Sequence, residues 1–133
     1  MDDPGRPLRI LYVDDEPTNL RLLQAVVQMV LKRPDEVLTT VSPDIALELL
    51  DSGPFDAVVS DQRMPRVSGT QLLATVRERQ PEATRVLLTG HAEDREVRLA
   101  LDTGLAHLLL EKTQSPRDMY AAILQAIAAR RRG

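Results

Sequence analysis

Acidic, hydroxyl and lysine side chains occur in this sequence directly after short apolar runs with the composition of β-strands. The pair Asp14 and Asp15 follows the first run, Asp61 follows the third, Thr89 follows the fourth and Lys112 follows the fifth. In an open parallel sheet every strand delivers its carboxyl end to the same edge, and ligands bind there where the winding direction reverses. We therefore expect these side chains to meet at one edge of a parallel sheet.

The chemistry of such a cluster depends on how its negative charge is compensated. Three neighbouring carboxylates repel one another unless one takes up a proton or a cation enters. Oxygen ligands suit a hard cation, and a few carboxylates completed by waters and a phosphate suit Mg²⁺ better than Ca²⁺. Aspartate is also a nucleophile for phosphoryl groups, whose transfer mainly requires positioning and charge neutralisation. A metal, the Lys112 ammonium and the Thr89 hydroxyl around Asp61 would supply both.

Strand-like and helix-like segments alternate along the whole chain. The predicted strands cover residues 8–13, 37–41, 57–59, 86–88 and 108–110. Apolar residues between and after them recur at helical spacing. The predicted helix faces are Leu20, Leu23, Val27, Val30 and Leu31; Ile45, Ala46, Leu49 and Leu50; Leu72, Leu73 and Val76; Val97, Ala100 and Leu101; and Met119, Ala122, Ile123, Ala126 and Ile127. This alternation predicts βαβ units, a parallel sheet and helices on both of its faces.

Turn and capping residues mark the ends of several predicted helices. Pro17 suits a first helical turn, and Ser42 before a proline reads as an N-cap. The segment that starts at Ser115 reads as a capping box. Gly53 and Gly104 are placed to end helices two and four.

Composition limits the classes of function. The chain has 133 residues, 43% of them hydrophobic, and no cysteine, so we expect one domain over residues 1–133 with its core at about 8–129 and no thiolate chemistry. A net charge of −3 and 2% aromatic residues argue against direct nucleic-acid binding. The sequence lacks a signal-peptide pattern and an apolar run of the ~20 residues needed to cross a membrane, so a soluble cytoplasmic domain is expected. Residues 1–7 read as a loose leader, and residues 130–133 as a frayed end or the start of a linker.

Taken together, the motifs resemble the receiver domain of bacterial two-component response regulators. In chain order they are Asp14-Asp15, Asp61-Gln62-Arg63-Met64-Pro65 with Gly69, Leu88-Thr89-Gly90, and Lys112. The resemblance runs from about residue 8 to the last helix. It implies an α/β, doubly wound, five-stranded parallel sheet of flavodoxin-like order 2-1-3-4-5.

The resemblance also implies a Mg²⁺ site. Asp15 matches the direct metal ligand, and Asp14 matches a second carboxylate that acts directly or through water. Asp61 contributes an oxygen, and Arg63 lends its backbone carbonyl while its side chain stays free over the site.

The remaining roles implied by the resemblance concern phosphoryl transfer. Asp61 matches the phosphoacceptor, which takes a phosphoryl group from a histidine of a sensor kinase. Lys112 matches the lysine that pairs first with Asp61 and then with the phosphoryl oxygens. Thr89 matches the switch hydroxyl that moves to the phosphate. Such a domain is a phosphorelay switch, not an enzyme, although it assists its own phosphorylation and dephosphorylation. A fused or separate output domain and a homodimer formed on phosphorylation are the further partners it implies.

Two positions depart from the family pattern. Thr113 stands where the family usually has a proline, so we expect a trans bond before it and a shifted loop. Leu109 stands where the family usually has Tyr or Phe, which takes away the aromatic partner of Thr89. We hypothesise that the surface of helix four, strand five and helix five still carries the signal, with backbone movement and His107 replacing the aromatic side chain.

Three alternative functions remain open at this point. A flavodoxin-like cofactor binder would need a phosphate-binding loop where Asp14 and Asp15 stand. A phosphatase of the haloacid dehalogenase type would carry Asp-x-Asp after strand one, whereas the two acids here are adjacent. A phosphorylation-independent interaction module on the receiver fold is the third alternative, and Leu109 and Thr113 leave it open.

Overall fold

The described part of the chain folds into five strands that alternate with five helices. The computed structural model describes residues 6–132, so Gly133 and most of the predicted leader lie outside the described residues. In chain order the elements are β1 (Arg9–Val13), α1 (Pro17–Ala25), β2 (Glu36–Thr40), α2 (Pro43–Leu49), β3 (Ala57–Asp61), α3 (Gly69–Arg79), β4 (Thr84–Thr89), α4 (Arg95–Asp102), β5 (Leu108–Glu111) and α5 (Pro116–Arg132). A π-helical segment, Val26–Val30, extends α1, and a 3₁₀ segment, Leu50–Ser52, extends α2.

All strand pairs are parallel, and the sheet order is β2-β1-β3-β4-β5. The winding direction therefore reverses between β1 and β3, where Val13 lies opposite Ser60 in the register. The predicted α/β class, doubly wound topology and 2-1-3-4-5 order are confirmed. The strands form without alternating polarity because a parallel sheet is covered on both faces.

Two hydrophobic layers cover the two faces of this sheet. Successive residues of β1 alternate between them, with Tyr12 in the layer that α1 and α5 complete and Val13 in the layer of α2, α3 and α4. This alternation gives each face its own core.

Capping confirms the predicted helix starts. The Ser42 hydroxyl accepts a hydrogen bond from the Ile45 amide at 3.3 Å, and the Ser115 hydroxyl accepts one from the Asp118 amide at 3.1 Å. Gly104 follows α4 with a φ of 77°, a left-handed conformation that favours glycine.

Three residues of the predicted apolar helix faces are exposed. Val30, Ile45 and Leu101 are 55%, 48% and 37% exposed, respectively. The wider π-helical turn after Ala25 buries Val27 and leaves Val30 outward, because it changes which side chains face the sheet. Ile45 lies in the first turn of α2 and Leu101 in the last turn of α4. Tyr120 is fully buried in α5 and was not predicted as a core residue.

At the amino edge of the sheet, Asp56 holds the two ends of the described chain. Its carboxylate accepts hydrogen bonds from the Arg6 side chain at 2.8 Å and the Arg9 amide at 2.7 Å, and it also pairs with Arg131 in the last turn of α5. Within residues 6–132, none of the helices combines the length and apolar character that a membrane span needs.

Candidate functional site

Three carboxylates converge where β1 and β3 end. One oxygen each of Asp14, Asp15 and Asp61 can be chosen so that all three lie within 4.8 Å of one another. Asp14 and Asp61 are 0% and 1% exposed, whereas Asp15 faces solvent. The strand reversal between β1 and β3 thus brings together the three acids that the sequence predicts to be neighbours.

Lys112 is the cation at this cluster. Its Nζ lies 3.0 Å from both carboxylate oxygens of Asp61, but the geometry makes a hydrogen bond only to Oδ2. Within the described residues, Asp61 Oδ1 is the buried side-chain polar atom without a hydrogen-bond partner. Burial raises the pKa of the Asp61 carboxyl above its ordinary value; the hydrogen bond from Lys112 lowers it in part, and Asp14 and Asp15 raise it further. A buried oxygen left without a donor costs stability, so this atom is suited to a ligand.

Neutral donors surround Asp14. The Tyr12 hydroxyl and the Asn19 side-chain amide both donate to Oδ2, at 3.0 Å and 3.2 Å, and the Glu16 amide donates to Oδ1 at 3.0 Å. Burial, followed by the charge of Asp14, raises the pKa of the Tyr12 phenol, so the hydroxyl remains a donor. Tyr12 and Asn19 were not predicted as site residues. The available signal was the spacing of two residues between Tyr12 and Asp14, since alternate side chains of an extended segment share a face.

The donor set fits a hard divalent cation. Carboxylate oxygens alone form the cluster, one of them lacks any hydrogen-bond donor, and Mg²⁺ prefers oxygen ligands in this arrangement. The predicted ligand role of the Arg63 carbonyl stays a prediction. The Arg63 side chain is not free over the site as expected, because its Nη2 lies 3.6 Å from Asp94, the N-cap residue of α4.

Thr89 ends β4 beside this cluster. Its side chain is buried, and its hydroxyl accepts a hydrogen bond from the His91 amide at 2.9 Å. The Thr89 carbonyl accepts one from the Lys112 amide at 3.0 Å, which ties the ends of β4 and β5 together. Lys112 and His91 also line an open cavity of about 570 Å³ that extends to Arg63 and Asp94. Thr89 and Lys112 are thus brought to the edge that holds the acids.

Gly69 allows α3 to begin directly against the loop that follows β3. A Cβ atom at this position would lie 2.5 Å from the Asp61 carbonyl oxygen and 2.7 Å from Leu87 Cδ1. The Gly69 amide donates to the Gln62 carbonyl at 3.0 Å, and the Gln62 side chain accepts from the Thr70 amide at 2.9 Å. The loop that carries Asp61 is therefore clamped to the helix that follows it.

The two departures from the family pattern have clear local structures. The peptide bond between Lys112 and Thr113 is trans, as expected. Leu109 is half-buried and packs with the layer of α2, α3 and α4. His107 Nδ1 accepts a hydrogen bond from the Arg85 amide at 2.9 Å, and burial, together with the Arg85 charge, lowers its pKa to about 4. His107 is thus a neutral, hydrogen-bonded residue immediately before β5.

Comparison with known proteins gives a consistent set of matches. The family model described as "Response regulator receiver domain" matches residues 10–124. The hydrogenase transcriptional regulatory protein HoxA of Cupriavidus necator is 30% identical over 120 residues, which are 90% of this chain. The chain spans only 14% to 24% of the length of three curated relatives that it matches, HoxA among them.

Solved structures match nearly the whole chain. A response regulator receiver domain protein from Clostridium thermocellum has a TM-score of 0.81 at 29% identity, covering 93% of this chain and 97% of that one. The response regulator protein TrrA from Thermotoga maritima, solved in complex with Mg(2+)-BeF, has a TM-score of 0.73 at 28% identity. That match covers 90% of this chain and 98% of TrrA.

Proposed function

Because this chain belongs to the response regulator receiver family, we propose that it is a phosphoacceptor switch whose Asp61 takes a phosphoryl group from a sensor histidine kinase. The observation that carries the proposal is the state of Asp61. Its buried carboxylate forms an ion pair with Lys112 and accepts a hydrogen bond from it through Oδ2, whereas Oδ1 has no hydrogen-bond partner. Two further carboxylates lie beside it. Such a carboxylate has an oxygen that can attack phosphorus, and the acidic cluster around it can bind a cation.

The transfer step needs one attacking oxygen and one leaving nitrogen. Asp61 Oδ1, which accepts no hydrogen bond, attacks phosphorus, while the bond between phosphorus and the kinase histidine breaks. The electron pair of that bond returns to the imidazole nitrogen, which takes up a proton. The Lys112 ammonium, 3.0 Å from both Asp61 oxygens, would pair with the phosphoryl oxygens after transfer.

Asp14, Asp15 and Asp61 would hold the Mg²⁺ ion, with the Arg63 carbonyl as a further ligand. Bound Mg²⁺ supplies charge neutralisation at the phosphoryl oxygens. The chain itself supplies the geometry, because the β1–β3 reversal and the Gly69 clamp fix the positions of the acids.

The output of the switch is proposed to leave through α4, β5 and α5. Thr89 would give up its hydrogen bond from the His91 amide and turn its hydroxyl toward the phosphoryl group. Since Leu109 is smaller than an aromatic ring, backbone movement with His107 would carry the change onward. Amide NMR shifts induced by beryllofluoride test this, and shifts confined to the loops of Asp15, Asp61 and Lys112 would contradict it.

The cellular setting follows from this role. We propose a cytoplasmic location, a kinase as the phosphoryl donor, and an output domain that is either fused or separate. A homodimer formed on phosphorylation is compatible with the same surface. These assignments rest on the family and on the short span of the chain relative to its curated relatives.

Mass spectrometry after incubation with Mg²⁺ and acetyl phosphate tests the proposed function. We expect one added phosphoryl group, and borohydride reduction of the aspartyl phosphate should mark Asp61 as homoserine. Asp61→Asn should abolish labelling, because an amide does not attack phosphorus. Asp56→Asn is the matched control, since it changes another buried aspartate at the opposite edge of the sheet. Labelling of another residue, or full labelling of Asp61→Asn, would disprove the assignment.

A further inference from the structure

The negative charges of the three acids of the site are stabilised in three different ways. Asp15 is exposed and keeps its hydration, and Asp61 pairs with Lys112. Asp14 is 0% exposed and is held by the hydroxyl of Tyr12, the amide of Asn19 and the backbone amide of Glu16. A buried carboxylate is costly unless hydrogen bonds replace its lost hydration, so these donors are a built environment for Asp14.

The side-chain donors to Asp14 come from the two elements that flank the β1–α1 connection. Tyr12 lies in β1, two residues before Asp14, and Asn19 lies in the first turn of α1. Both donate to Oδ2, at 3.0 Å and 3.2 Å, while the Glu16 amide donates to Oδ1 at 3.0 Å. With contacts on both oxygens, the carboxylate cannot rotate about its own axis without breaking a hydrogen bond.

The number of remaining acceptor positions follows from this arrangement. An ionised carboxylate offers about four lone-pair positions, two on each oxygen. The two donors to Oδ2 occupy both lone-pair positions of that oxygen, and the Glu16 amide occupies one of the two positions on Oδ1. A single position on Oδ1 is left for a cation or for one of its waters.

We propose that Tyr12 and Asn19 are positioning residues for Mg²⁺, which fill Asp14 Oδ2 and leave Asp14 as a one-contact ligand through Oδ1. This inference rests on the proposed function, because it concerns the metal of that site. Removal of either donor empties one of the two occupied positions on Oδ2, so that the carboxylate is held in its orientation by two hydrogen bonds instead of three. Loss of a hydrogen bond that orients a metal ligand costs about tenfold or more in metal affinity.

Calorimetric Mg²⁺ titration of the full chain and of Tyr12→Phe tests the proposal. Tyr12→Phe keeps the ring and removes the hydroxyl, and we expect Mg²⁺ binding to weaken about tenfold. Tyr120→Phe is the matched control: Tyr120 is equally buried, and its hydroxyl donates to Asp35 at 2.5 Å in another part of the structure. The control should lose stability without losing Mg²⁺ affinity.

Asn19→Ala is the second variant, and it decides the case if Tyr12→Phe does not fold. It should weaken Mg²⁺ binding in the same direction, because it removes the other donor to Oδ2. In the parent, Mg²⁺ should shift the NMR signals of the Asn19 side-chain amide and the Glu16 backbone amide; in Tyr12→Phe these shifts should change. If the parent binds Mg²⁺ and both variants bind it equally well, this inference is overturned while the proposed function stands. A parent that binds no Mg²⁺ would overturn the proposed function and this inference with it.

Discussion

Substitution of Gly69 by alanine should destabilise the protein through a contact with the backbone that carries Asp61. The added Cβ would lie 2.5 Å from the Asp61 carbonyl oxygen, 2.7 Å from Leu87 Cδ1 and 3.0 Å from Gln62 Cα. Leu87 can change its rotamer, but the other two contacts are with backbone atoms. Relief therefore requires α3 to move away from the end of β3.

The size of the effect can be worked from these contacts. Overpacking of a closely packed site costs about 1–3 kcal/mol, and two backbone contacts place Gly69→Ala in the upper half of that range. The higher helix propensity of alanine offsets part of this, by less than about 1 kcal/mol. We expect a net loss of about 2 kcal/mol, which lowers the melting temperature of a chain this long by roughly 6–8 °C.

Urea unfolding of Gly69→Ala and Gly90→Ala measures the difference. Gly90 is the matched control because the nearest atom to its added Cβ is Lys112 Cδ at 3.9 Å, an ordinary contact. Gly90→Ala should change the free energy of unfolding by no more than about 0.5 kcal/mol. If Gly69→Ala is as stable as Gly90→Ala, the close approach of α3 to Asp61 is wrong.

Three further predictions concern the charged and titrating groups. Without Mg²⁺, Asp61→Asn should stabilise the protein near neutral pH, because burial raises the pKa of this carboxyl above its ordinary value of 3.8. In urea unfolding, the free energies of unfolding of parent and variant should become equal as the pH falls below that value. A difference that stays constant with pH would contradict this. Asp15→Ala should weaken Mg²⁺ binding in a calorimetric titration, and an unchanged affinity would place the metal elsewhere. The NMR signals of the His107 ring protons should titrate with a pKa of about 4, below the ordinary 6.5. The contribution of neutral His107 to stability is therefore present above about pH 6.5 and is lost as the pH falls toward 4. Titration near 6.5 would refute the buried geometry.

The sheet and the site were predictable because both depend on local patterns along the chain. Apolar runs without alternation indicated a parallel sheet, and the polar residues after each run indicated its carboxyl edge. The convergence of Asp14, Asp15 and Asp61 followed only once β1 and β3 were taken as neighbouring strands. The strand order itself came from the family resemblance, since alternation of strands and helices does not determine it.

The parts that were missed depend on helix phase and side-chain direction. Tyr12 reads in sequence as one more apolar strand residue, and only the packed structure shows its hydroxyl on Asp14. The exposure of Val30 depends on a π-helical turn that no residue type announces. The ion pair of Arg63 with Asp94 joins a loop to a helix start far along the chain, so spacing gives no sign of it.

The contacts of Asp56 decide how the molecule can be attached to a support. Arg6 and Arg131, near the two ends of the described chain, meet this carboxylate at the amino edge of the sheet. The acidic cluster lies at the carboxyl edge, across the full length of the strands. A sensor chip, bead or fluorescent tag coupled near either of these residues would therefore leave Asp61 pointing outward, so an immobilised sample stays open to a phosphoryl donor in solution.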